Sequence, residues 1–185
     1  MIDLTKASAP DYITVGGRTY KIKTWFKYWL RFLQICNNRK EVRDFDFLFL
    51  DEIPENKAEA FKSLAEFANP KSVLPRGTGS GSSAKVLDYT IDSNLIYSAF
   101  VQQYGIDLVT GNGIDGKPLH WHKFLALMEG IHDTKLSDVM DIRSYDETDK
   151  TTFEQSRKNA RDAWSLDGIA EEDSEVLEEF NKKFS

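Results

Sequence analysis

SNLIYSAFVQQYGIDLVTGNGIDGKPLHWHKFLALMEGIHDTKLSDVMDIRSY, residues 93–145, holds the clearest helix signals of the 185-residue chain. Asp92 or Ser93 supplies a side-chain acceptor for the unbonded N–H groups that open a first helix. Leu95, Ile96, Ala99, Phe100 and Tyr104 then recur at helical spacing. Gly105 ends the run, since glycine takes positive φ without strain. The loop GNGIDGKP, 111–118, follows. A second helix sets Trp121, Phe124, Leu125 and Met128 on one face, and Gly130 is expected to close it in the left-handed conformation. Asp133 or Thr134 caps a third helix with Leu136, Val139 and Met140 inward. Three short helices on tight connections predict a compact unit over residues 86–146.

Upstream, YITVGGRTYKI (12–22) places two β-prone runs around Gly16-Gly17, a pair suited to a tight primed turn. A lone hairpin is marginal in water, so this one needs helices or another chain to lie on. Thr24 is positioned to cap a helix over Trp25–Cys36, whose only polar residues, Lys27, Arg31 and Gln34, form one narrow stripe. Trp25, Trp29 and Phe32 on the remaining surface fit either an ordinary core or an interface. The stretch DFDFLFLDEIP (44–54) is ambiguous between strand and helix, and is expected to be helical. Pro54 suits a first helical position. Ala60, Phe61, Leu64, Phe67 and Ala68 form an amphipathic face that stops at Asn69-Pro70. The N-terminal part is thus 1–68.

Residues 69–85, NPKSVLPRGTGSGSSAK, have the composition of a flexible linker. Beyond Tyr145 the chain turns polar, and residues 147–185 are expected to form a helical arm. Thr151-Thr152-Phe153-Glu154 fits a capping box that opens a helix toward Trp164. A last helix, Ala170–Phe184, repeats Val176, Leu177, Phe180 and Phe184, with acids at its start and Lys182-Lys183 at its end. The residues leave open whether this pair packs on the body or engages a partner. The predicted fold is therefore mainly α: a compact helical domain with an N-terminal β-hairpin and a C-terminal pair of amphipathic helices.

Hydrophobic residues at 41% and aromatics at 12% are enough for a substantial core. A single cysteine, Cys36, excludes an internal disulfide framework. No apolar run is long enough to span a bilayer, and no secretory leader pattern follows Met1. The net charge of −6 is unevenly spread, +4 over residues 1–50 and −10 over the rest. Lys27, Arg31, Arg39, Lys40 and Arg43 are the only basic group worth weighing for nucleic acid. The acidic chain and the absence of a reading-helix motif argue against it.

Nothing in the pattern points to catalysis or to a cofactor. On a helix, His120 and His122 would point roughly 200° apart and could not share a metal. The expectation is His120 at the edge of the core and His122 on the wet face. Cys36, among Leu33, Ile35 and aromatics, reads as a buried and inert thiol. No serine has a strand-to-helix elbow around it. The expected function class is protein binding, with Trp25, Trp29, Phe32, Trp164, Leu177 and Phe180 as the residues most suited to hold a partner.

LIYSAFVQQYGIDL, LHWHKFLALMEGI and DTKLSDVMDIRSYD, with GGRTYKIKTWFKYWLRF and EIPENKAEAFKSLAEF upstream, resemble a family of small proteins from tailed bacteriophages and prophages, the phage gp-fifteen family. The resemblance covers Val86–Tyr145 and, less closely, Val15–Ala68. It implies a tail assembly chaperone that binds the tape-measure protein and meets tail subunits in the host cytoplasm, absent from the mature particle. It allows self-association and implies no nucleic acid, membrane or cofactor. The alternative is a structural or connector protein retained in the tail. The family has no catalytic motif to carry over, so no site residue follows from the resemblance.

Overall fold

The hairpin is set by its turn. Gly16 and Gly17 have φ of 58° and 77°, so β1 (Tyr12–Val15) and β2 (Arg18–Lys21) pair antiparallel with Val15 opposite Arg18. Ile13 and Val15 turn inward. The structure is a computed structural model that describes residues 2–37, 44–70, 85–144 and 154–166, apart from the side chains of 154 and 155. Within those residues there are six α-helices: α1 (Phe26–Asn37), α2 (Lys57–Ala68), α3 (Ser93–Tyr104), α4 (Trp121–Glu129), α5 (Lys135–Ser144) and α6 (Glu154–Trp164). The mainly helical class with an N-terminal hairpin is as the sequence predicts. Most of the 69–85 linker and the expected helix Ala170–Phe184 lie outside the described residues.

The chain divides into two compact units. One joins Met1–Arg76 with Tyr104–Gly130, the other Gly77–Gln103 with Ile131–Ser185. α4 falls in the first unit with the N-terminal elements, and α5 in the second with most of α3. In the first unit the hairpin lies on α2. Glu59 accepts the Gly16 N–H at 2.8 Å, and Ser63 Oγ donates to the Thr14 carbonyl at 2.8 Å. α2 starts at Lys57 under an Asn56 cap, whose side chain accepts from the Glu59 N–H. Pro54 is buried upstream of the helix and is not its first residue.

The expected helix over 44–54 is only a 3₁₀ turn, Asp46–Leu48. Phe49 then runs extended beside Ile22, with Leu50 N–H on the Lys21 carbonyl and Lys23 N–H on the Leu48 carbonyl. The segment covers the exposed edge of the hairpin, and that tertiary bond set overrides its local pattern.

α1 begins one residue later than predicted. Trp25 is extended and bridges His120, with Phe26 N–H on the Leu119 carbonyl at 2.9 Å and Trp121 N–H on the Thr24 carbonyl at 2.7 Å. These two rungs join the starts of α1 and α4. Rings fill the space between them: Phe26 stacks on Phe124 (4.9 Å), Trp29 on Phe67 (4.6 Å), and Trp121 on Phe124 (5.5 Å). Each buried indole needs an acceptor for its N–H. Trp29 uses the Lys23 carbonyl and Trp121 the Ala68 carbonyl, both at 2.9 Å.

In the second unit α3 buries Ile96, Ala99 and Phe100, and α5 buries Leu136 and Val139. Gly105 ends α3 at φ 64°, as predicted. Thr134 caps α5, accepting from Ser137 N–H at 3.2 Å. Gly130 departs from expectation: its φ is −85°. What calls for glycine there is space, since a Cβ would sit 2.9 Å from the Tyr104 hydroxyl. The residue with positive φ is Asp133.

Candidate functional site

His120 and His122 do not stand as a helical pair. His120 is the N-cap of α4 in extended backbone, and its Nδ1 accepts the His122 N–H at 3.0 Å. That geometry brings the two rings to 5.4 Å, instead of opposite sides of a helix. His120 Nε2 meets the Pro10 carbonyl and His122 Nε2 meets the Phe67 carbonyl, each at 2.9 Å. A carbonyl only accepts, so both Nε2 atoms carry the hydrogen, and the accepting Nδ1 of His120 makes that ring neutral. The expectation of His122 on the wet face fails: it is 4% exposed and stacks on Phe67 at 4.2 Å. Burial pushes its imidazole down to about 4, against the pull of the Phe67 bond. Burial also lowers His120. These main-chain bonds fasten the Pro10 and Phe67 segments to α4. His132 faces Gln103 in the other unit. Among the described residues no group of three or more His, Cys, Asp or Glu is placed to hold a metal ion.

The residues expected to hold a partner separate into three kinds. Trp29 and Phe32 are 0% and 1% exposed, core side chains that offer no surface in this fold. Trp25 is half-buried, with its N–H on the Gly111 carbonyl at 2.7 Å. Its ring lies so near Gly111 that a Cβ there would come within 2.6 Å. Trp164 keeps an exposed face under Lys135, whose Nζ is 5.3 Å from the ring. Leu177 and Phe180 lie outside the described residues. Cys36 is half-buried on α1.

Of the basic group, Lys27 donates to the Val109 carbonyl at 2.6 Å and Arg31 lies 4.6 Å from the Phe47 ring centre. Arg39, Lys40 and Arg43 are outside the described residues. No helix among the described residues is long and apolar enough to cross a membrane.

One open, mostly apolar surface was not picked out in the sequence. A groove of about 430 Å³ runs along α4 in the first unit, lined by Ile2, Ile106, Ile114, Leu119, Ala126 and Leu127. Asp115 and Lys123, 3.9 Å apart, line it too. The groove is built by the 111–118 loop, which folds over at Gly113, where the N–H bonds the Lys117 carbonyl at 2.8 Å. Ile114 at the loop tip is 82% exposed and Val109 is 73% exposed. The signal was present in GNGI: an isoleucine among turn residues has no helix or strand face to bury against.

The second unit has a buried ion pair that helical periodicity also gave no reason to expect. Arg143, on α5, and Asp92, before α3, are 4% and 2% exposed. They meet bidentately, Nη1 to Oδ2 at 2.7 Å and Nη2 to Oδ1 at 2.9 Å.

No curated protein and no solved structure matches the chain. A family profile does, the one described as Bacteriophage Gp15 protein. It covers residues 9–165, from just before β1 to just past α6. Over that span, most of its length, the chain belongs to the Bacteriophage Gp15 family.

Proposed function

We propose that this phage protein is a tail assembly chaperone that binds the tape-measure protein while tail subunits polymerise around it. The observation that carries the reading is the groove along α4, open and mostly apolar, on a member of a phage family. A tape measure is a long helical chain with apolar stripes that aggregates when bare. A holder for it needs an apolar groove that accepts many sequences, since a helix enters such a groove by its i, i+3, i+4 and i+7 side chains. Isoleucine, leucine and alanine linings contact such stripes without demanding particular polar partners. On this reading the protein works in the host cytoplasm, performs no catalytic step and leaves before the particle is complete.

The test is co-expression with the neighbouring tape-measure protein. The chaperone should co-purify with it and raise its soluble yield, and Ile114→Asp should reduce both while leaving the fold intact. If neither co-purification nor yield responds to the wild-type protein, the reading is wrong. Mass spectrometry of purified particles separates the connector alternative, which predicts a fixed, many-copy component.

A further inference from the structure

Residues 12–40 carry seven Lys and Arg and no acid, whereas residues 171–180, EEDSEVLEEF, carry six Asp and Glu and no base. In the first unit the fold gathers part of the basic stretch into one surface. Lys23 Nζ lies 5.3 Å from the Tyr28 ring centre and Lys27 Nζ 5.0 Å from that of Trp25. The Arg31 guanidinium lies 4.6 Å from the ring centre of Phe47. The rings adjoin one another: Tyr28 meets Trp25 edge-on at 5.6 Å and leans on Phe47 at 6.3 Å. All three are half-buried. The surface is a continuous floor of three rings with a cation over each.

Among the described residues none of the three cations is in a salt bridge. Lys27 gives one N–H to the Val109 carbonyl. An ammonium has three donors and a guanidinium five, so each cation keeps donors for an anion. A ring face attracts a cation more weakly than a carboxylate does, so it holds the side chain in place without neutralising it. Long side chains held ahead of contact lose less entropy on binding. The surface therefore fits carboxylates interleaved with apolar side chains, which can lie against the ring edges. Nucleic acid fits it less well, because the ring faces that bases would stack on are covered by the cations.

We propose that this surface receives residues 171–180 of a second copy of the chain. Those residues supply the acids, with Val176, Leu177 and Phe180 between and beside them. Two copies of net charge −6 repel each other when side by side, and a head-to-tail contact is the one that sets the basic end of one against the acidic end of the next. Such a contact is heterologous. Each copy keeps one surface and one segment free, so the association can extend into a ring or a short filament. The proposal uses none of the groove residues and does not depend on the tape-measure reading.

The test is sedimentation velocity on the full chain from micromolar to millimolar concentration. Wild type in low salt should self-associate as concentration rises, and the association should be lost at about 1 M salt, where charges are screened beyond roughly 3 Å. Two full-chain variants then separate the halves of the contact. One carries Lys23→Gln and Arg31→Gln, and the other has the six acids of 171–180 changed to their amides. Each variant alone should be monomeric. Mixed, they should form a 1:1 dimer that grows no further, because only one surface and one segment remain. A misfolded variant could not supply its half, so the dimer is its own control. Wild type that stays monomeric throughout overturns the proposal, as does association of either variant alone or a mixture that gives no dimer. Wild type that stays monomeric by itself and retards single-stranded DNA in a low-salt gel makes the surface a nucleic-acid site and also overturns it.

Discussion

Acidification from pH 7 to pH 5 is expected to weaken the first unit through His122. The folded imidazole is held neutral at about 4, because burial against Phe67 removes the water that would solvate a cation. In the unfolded chain the same ring titrates near 6.5. The unfolded state therefore takes the proton first as pH falls. Stability from this group is fully present above pH 6.5 and is lost progressively toward pH 4. With these two values the loss is roughly 2 kcal/mol by pH 5 and about 3 kcal/mol below pH 4. The assay is denaturant unfolding at several pH values, followed by tryptophan fluorescence, for wild type and His122→Gln. Glutamine can donate to the Phe67 carbonyl but cannot titrate, so carboxylate contributions cancel in the comparison. The variant's stability should fall about 2 kcal/mol less than that of wild type between pH 7 and 5. Parallel pH profiles, or an NMR titration that finds His122 charging near 6.5, would refute the reasoning.

Gly111→Ala is expected to cost about 3 kcal/mol, since it adds an alanine Cβ against Trp25 to the strain of positive φ and disturbs the indole bond. Gly105→Ala has positive φ with open space and should cost about 1 kcal/mol, so matched denaturation midpoints would show the Trp25 contact to be unimportant. Asp92→Asn leaves the Arg143 charge buried without its counter-ion and should cost about 3 kcal/mol or more, read by thermal unfolding, with Arg143→Met added to the same chain recovering part of the loss. Trp29→Ala should cost about 3–5 kcal/mol in chemical denaturation, in keeping with an indole that has no exposed surface. Ile114→Asp, at a loop tip, should shift stability by no more than about 0.5 kcal/mol while reducing tape-measure recovery in pull-down.

Local signals carried most of the element boundaries. Gly16-Gly17, Gly105 and the Thr134 cap act within one turn of backbone, and each sits where the residues predicted. The family was readable for a related reason, since its motifs are runs of contiguous residues, and the profile match from 9 to 165 covers them. The candidate sites were less accessible. His122 falls at a position that helical periodicity assigns to solvent, and it is buried because His120 caps the helix from extended backbone and Phe67 comes up against it. Ile114 was passed over as a loop residue, although it lines the groove.

What the amino-acid order settled by itself was the helical class, the hairpin and where most helices start and stop, because propensity, caps and glycine conformations depend on near neighbours. Only the tertiary structure decided which faces meet. It assigned α4 to the aromatic cluster of α1, turned 44–54 into a 3₁₀ turn followed by an extended bridge at Phe49 on the hairpin edge, and closed Arg143 on Asp92. The Trp25–Gly111 and Arg143–Asp92 bonds join residues 86 and 51 positions apart. No local pattern encodes such pairings: each depends on the shape and bonding capacity of a surface supplied by a distant part of the chain.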